Sequence, residues 1–161
     1  MVVFADDRPK LREGLTRDLA AWVYKLKFDD LSPRVIEDVK WLYLDIITQA
    51  LAGSTGRGVG ETGFSGVAPV LEVVKLNPGD ATVIGTSITA SPQFAALANG
   101  TFAHALNIMD THRYSVPTHI GPSVYPTAFA VSQMLKTDFK TFATGVAAGF
   151  EITAKLAMAM Q

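Results

Sequence analysis

The sequence predicts an all-α domain, a helical array carrying at most one very short β piece near residues 82–88. Three observations lead there. Apolar residues return at spacings of three and four along most of the chain. Hydroxyl or acidic residues that suit helix N-caps stand just before several of those stretches, two of them followed by proline. Extended runs of alternating polar and apolar residues are almost missing. An α+β domain with one small hairpin around residues 82–88 is the alternative architecture.

The elements follow in order. Thr16 reads as an N-cap for a helix carrying Leu19, Ala20, Val23 and Leu26, stopping near Lys27. Ser32-Pro33 starts a second helix, whose apolar stripe is Val35, Val39, Leu42, Ile46 and Ala50. It runs to about Leu51, with Gly53 as its stop. Residues 53–66 hold six glycines. A phosphate-cradling loop needs Gly-Lys-Ser/Thr ahead of a helix, and no lysine is present, so a plain connection is the better reading. A short helix follows from about Ala68 to Lys75, then the turn Asn77-Pro78-Gly79-Asp80 and an extended piece at Thr82–Gly85. Ser91-Pro92 opens a helix that the stripe Phe94, Leu97, Ala98, Phe102, Ala105 carries to about Ile108. Asn99-Gly100 lies inside it, where the glycine would let another helix pack closely. A further helix starts near Ser123. Asp138 caps the last one, Phe139 to Met160, whose Gly145, Ala147, Ala148 and Gly149 suit tight packing.

Bulk properties narrow the function. The formal net charge is −1, so there is no basic excess to hold a nucleic-acid backbone. There is no cysteine, which excludes disulfides and thiolate metal sites. No apolar run reaches the roughly 18 residues of a membrane span, and the charged start MVVFADDRPK does not read as a signal peptide. The expected location is the cytoplasm, or the mitochondrial matrix of a eukaryote. The two tryptophans, Trp22 and Trp41, read as core or interface residues.

The chemistry concentrates in one stretch. His104, His112 and His119 are all the histidines of the chain, and they sit with Asp110, Thr111 and Thr118. A helix reaching Ile108 would put His104, Asn107 and Thr111 on one side. Three uses compete. A histidine is a general acid or base, with Asp110 fixing its tautomer. Alternatively His104, Asp110, His112 and His119 coordinate a metal, although no zinc-enzyme spacing is present. Or the start of the Ser123 helix binds an anion through its free N–H groups. Against all three stands a structural reading, in which His104 satisfies a core hydrogen bond, His112 is solvated and Asp110 is a cap.

The runs SPQFAALANGTFAHALNIMDTH and HIGPSVYPTAFAVS resemble consecutive motifs of the MmgE/PrpD family. Three more pieces agree in order: LTRDLAAWVYKLKFDDLSPRVIEDVKWLYLDIITQALAG, ATVIG and GVAAGFEITAKLAMAM. The likeness covers about residues 15–160. The family includes 2-methylcitrate dehydratase, cis-aconitate decarboxylase and iminodisuccinate epimerase. The resemblance implies a lyase needing no metal or organic cofactor, acting on a small di- or tricarboxylate, with 2-methylcitrate dehydration the leading reaction and cis-aconitate decarboxylation or epimerisation the alternatives. It also implies a homodimer, and a chain forming a single helical domain over residues 1–161 that lacks the family's lid domain and later lysines. His119, Asp110 and His104 are then the candidate catalytic residues; Thr111, Asn107, Arg113 and Ser123 are the candidate substrate-binding residues; no metal ligand is assigned. Asn107 stands where the family often has an aspartate, and its amide can hydrogen-bond but cannot take a proton. The rival reading is a non-catalytic homologue that binds or dimerises. A zinc hydrolase is a distant third.

Overall fold

The structure, a computed structural model, describes residues 13–56 and 67–160. Its helices are α1 (Leu15–Lys25), α2 (Pro33–Gly53), α3 (Val67–Lys75), α4 (Pro92–His104), α5 (Gly121–Leu135) and α6 (Phe139–Ala159). A 3-10 turn, Phe28–Asp30, links α1 to α2, and two short strands, β1 (Ala81–Thr82) and β2 (Thr89–Ala90), lie between α3 and α4. The strands pair antiparallel with Ala81 opposite Ala90 and Thr82 opposite Thr89. The all-α expectation holds, and the small β piece brackets the expected residues 82–88, with Thr82 the one strand residue of the stretch Thr82–Gly85 read as extended. The glycine-rich stretch beyond Gly56 falls outside the described residues.

Helices α2, α4, α5 and α6 pack around a core that includes Val39, Ile46, Ala50, Phe102, Tyr125, Phe142 and Val146. Small residues make the close approaches. Ala95, Ala98 and Ala103 are fully buried on α4. Gly100 makes one of these approaches: a Cβ there would lie 2.8 Å from the Pro122 carbonyl of α5. That carbonyl is available because Pro126, four residues on, has no N–H to bond it. Asn99-Gly100 is therefore a packing site inside a helix, not a turn. Asn99 itself is fully buried, yet both ends of its amide are satisfied. It accepts from the Ile84 N–H at 2.8 Å and donates to the Thr82 carbonyl at 2.9 Å, tying the hairpin to α4. From α5, Gln133 accepts the Thr82 N–H at 2.9 Å and donates to the Thr82 hydroxyl at 2.8 Å.

The α5–α2 contact carries an aromatic cluster. Tyr125 stacks on Tyr43 with ring centroids 5.8 Å apart, and Tyr43 meets Phe142 at 5.0 Å. The Tyr125 hydroxyl donates to the Val39 carbonyl at 2.8 Å. Burial pushes the Tyr125 phenol far above its ordinary value, so it stays a donor at any working pH.

Several boundaries differ from expectation, each for a local reason. Gly14, not Thr16, caps α1, with φ 81, a left-handed backbone that glycine adopts freely. Gly53 does not stop α2 at Leu51; it is the last helical residue and lies directly against the Phe102 carbonyl of α4. Val35 is exposed rather than part of the buried stripe, and of the core-or-interface reading of Trp22 and Trp41 the core half fails, since they are 39% and 63% exposed. Helix α5 begins at Gly121, two residues before Ser123. Helix α4 ends at His104, not Ile108, and Asn107 beyond it takes a left-handed backbone with φ 54. His104, Asn107 and Thr111 therefore do not share a helical face.

Candidate functional site

The segment from Ala105 to Ile120 leaves α4, folds back on itself and enters α5. Its inner rung is an isolated antiparallel bridge between His112 and Thr118, where the His112 N–H donates to the Thr118 carbonyl at 3.0 Å. Residues that face each other across such a rung share a side, and their neighbours point the other way. His112 and His119 accordingly separate.

His119 turns toward α4. Its ring meets that of His104 edge-on, with centroids 5.9 Å apart. His119 Nδ1 lies 2.7 Å from the Asp110 main-chain carbonyl. A carbonyl oxygen can only accept, so Nδ1 carries the proton and the Nε2 lone pair is left for other work. The Thr111 hydroxyl lies 3.3 Å from the same Nδ1. Because that N–H already points at the carbonyl, the Thr111 hydroxyl proton remains available to a ligand.

His104 lines a groove of about 950 Å³ between the end of α4 and the start of α5. Asn107 and Ser123, both expected site residues, line it too. So do Gln93, Thr101 and Thr127, which sequence reasoning did not single out. Thr101 and Thr127 each donate to a carbonyl one turn back in their own helix, which leaves oxygen lone pairs toward solvent. Among the described residues the lining is apolar between these groups and holds no carboxylate and no lysine or arginine. Of the other expected site residues, His119, Thr111, Asp110 and the exposed Arg113 are not part of that lining.

Asp110 is half-buried. Both of its carboxylate oxygens accept the Gly121 N–H, at 3.0 and 3.1 Å. Burial pushes its carboxyl above the usual range, against the lowering pull of the Gly121 and Ile120 amides and of His119. The expectation that the start of this helix offers free N–H groups to an outside anion is overturned. Gly121 has Asp110, Pro122 has no N–H, and the Ser123 and Val124 amides both reach the Ile120 carbonyl. The expectation that the Asp110 carboxylate fixes a histidine tautomer is corrected as well: its main-chain oxygen does that.

His112 faces a second groove of about 840 Å³, lined among others by Trp22, Val35, Tyr125 and Phe150. The Ser115 hydroxyl donates to the Val116 carbonyl at 2.9 Å, so it accepts from His112 Nδ1 at 2.8 Å. The four-residue metal set is thus not gathered: among the described residues no three of His, Asp or Glu come together in a way that would hold an ion. No helix among the described residues is long and apolar enough to cross a membrane.

Comparison with known proteins bears on what this arrangement is. The N-terminal domain of the MmgE/PrpD family matches residues 17–161. A cis-aconitate decarboxylase of Aspergillus terreus is 31% identical over 130 residues, which are 81% of this chain and 25% of that protein. A cis-aconitate decarboxylase-like protein of Aspergillus oryzae, oryM, is 28% identical over 154 residues, 91% of this chain and 30% of its own length. The chain thus spans about a quarter to a third of the length of these relatives. The match takes in α2 through α6, the His104–His119 pair and the loop that joins them, and the chain belongs to the MmgE/PrpD family, through that family's N-terminal domain.

Proposed function

We propose that this chain supplies the proton-transferring part of a lyase site for small di- or tricarboxylates, with His119 as the general acid or base. The observation that carries the reading is the Nδ1 contact to the Asp110 carbonyl, which leaves Nε2 as the working nitrogen. The Thr111 hydroxyl, beside that ring, suits a substrate carboxylate, and the Asn107 and Ser123 side chains add neutral donors along the groove that His104 lines next to it. His104, edge-on to His119, is the second imidazole of the site.

Between the reactions expected from the sequence, the relatives' names favour decarboxylation of cis-aconitate over dehydration of 2-methylcitrate. In a decarboxylation the C–C bond to one carboxylate breaks and carbon dioxide leaves. Its electron pair forms a new C=C bond, and the old double bond takes a proton at its far carbon. An imidazolium at His119 is the donor of that proton. Dehydration would use the neutral ring as a base instead, so His119 serves either reaction. A neutral groove binds a polyanion weakly, since a helix terminus or a few amides contribute only about 1 kcal/mol each. The remaining cationic contacts therefore come from outside this groove. The homodimer expected from the resemblance belongs to the same proposal, and sedimentation of the gene product at two concentrations tests it.

The experiment is turnover of cis-aconitate and 2-methylcitrate by the product of the whole gene, followed by carbon dioxide release and unsaturated-acid absorbance. His119→Ala should lower kcat by roughly 100-fold or more, the usual loss of a general acid–base. A folded His119→Ala protein with unchanged kcat contradicts the assignment.

A further inference from the structure

Asp110 is placed unlike a catalytic acid. Its carboxylate is turned to the protein, where both oxygens accept the Gly121 N–H. Its main-chain oxygen holds His119 Nδ1. One residue therefore grips the returning strand of the loop at two points, the histidine ring and the amide two residues past it. The rung between His112 and Thr118 closes the same loop one step further in.

The neighbours fit this grip and little else. Gly121 has no room for a side chain: a Cβ there would run into the Asp110 carboxylate and come within 2.8 Å of Ile46 Cδ1 on α2. Ile120, between the two gripped residues, is 2% exposed and is thereby fixed in the interior. With His119 on one side and Gly121 on the other, a slip of this segment would carry the ring away from the Asp110 carbonyl.

We propose that Asp110 is the positioning residue of the site, its carboxylate anchoring Gly121 so that its own carbonyl fixes the tautomer and direction of the His119 ring. The importance of that ring rests on the function proposed above, whereas the anchoring itself does not, so the two fail separately. The aspartate thereby acts on proton transfer without touching the substrate.

The test is nitrogen NMR of the histidine ring, which reports which nitrogen carries the proton whether or not the protein turns over. Asp110→Ala should replace the single Nδ1–H form of His119 by a mixture, and should speed exchange of the Gly121 amide proton roughly tenfold, as expected for loss of one hydrogen bond. Asp110→Asn keeps an acceptor for Gly121 and should restore the single form. A folded Asp110→Ala protein whose His119 stays wholly Nδ1–H overturns the proposal, as does an Asn variant that behaves like Ala. If the Ala variant does not fold, the unmutated protein decides. A scalar coupling between the Gly121 amide nitrogen and the Asp110 carboxyl carbon is expected, and its absence overturns the anchoring.

Discussion

Helices α5 and α6 both begin under an aspartate, and the two differ in almost every other respect. Asp138 immediately precedes α6, is exposed, and accepts the Thr141 N–H at 2.9 Å. That hydrogen bond holds its carboxyl below the usual range. Asp110 lies eleven residues before Gly121, is half-buried, and has its carboxyl pushed up by burial. The same favourable pairing of a carboxylate with a helix N-terminus thus gives opposite titration. Where water solvates the carboxylate, the hydrogen bond dominates. Where the protein has removed that water, the desolvation cost exceeds what the amides return. The local cap starts a helix; the remote one also fastens a loop that carries a histidine.

The comparison is open to attack at several points. The largest effect is expected from Gly121→Ala, which pushes a methyl group between Asp110 and Ile46. Overpacking and the lost anchor together should cost on the order of 3 kcal/mol in denaturant unfolding. A loss under about 1 kcal/mol, the margin that ordinary relaxation absorbs, would mean that the loop and α2 move apart easily. Next, Asp110→Ala should cost about 1–3 kcal/mol, the penalty for leaving a buried N–H without an acceptor. Asp138→Ala should cost less, because water reaches the freed amides of α6; the reverse order would remove the distinction between the two helix starts.

The pH dependence should separate them by sign. Asp110 has a raised value in the folded state. Its contribution to stability is complete below the ordinary carboxylate value and is lost as pH rises through the raised one. Asp138 has a lowered value. Its contribution is present above the ordinary value and is lost as pH falls through the lowered one. Urea unfolding at about pH 7 and about pH 3, the second below the ordinary carboxylate value, checks this. On acidification the unmutated protein should gain stability relative to Asp110→Asn and lose it relative to Asp138→Asn. Parallel shifts in the two pairs would refute the contrast. The smallest effect is on α6 itself. A Cβ at Gly145 meets nothing within 4 Å, so Gly145→Ala should stabilise the protein by roughly 0.5–1 kcal/mol.

What was legible in the sequence follows the same division between local and remote. Ser32-Pro33, Ser91-Pro92 and Asp138 mark helix starts, because cap geometry involves only neighbours along the chain. Even there the details vary: Ser32 accepts the Val35 N–H at 3.3 Å, whereas the Ser91 side chain makes no cap bond and Pro92 takes the first helical position. The end of α4 was not legible. Nothing in Ala105-Leu106-Asn107-Ile108 forbids helix; the break comes as Ala105 and Met109 bury themselves while Asn107 turns left-handed. The site divides likewise. The residue types that suit proton transfer could be read directly, and the resemblance pointed to His119 and Thr111. That His104 faces His119 while His112 turns to another groove depends on how the loop closes. The buried roles of Asn99 and Gln133 are similarly tertiary, since each amide is matched to backbone groups at least fifteen residues away.

The central claim is that His119 is held as a proton-transfer group with Nδ1 occupied and Nε2 presented. The most direct test is the ring-nitrogen spectrum of His119 in the unmutated protein, above the pH at which the ring protonates. The account predicts a protonated Nδ1 bonded to the Asp110 carbonyl and an unprotonated Nε2. A protonated Nε2 with a bare Nδ1 would contradict it, because no proton would then lie between the ring and that carbonyl.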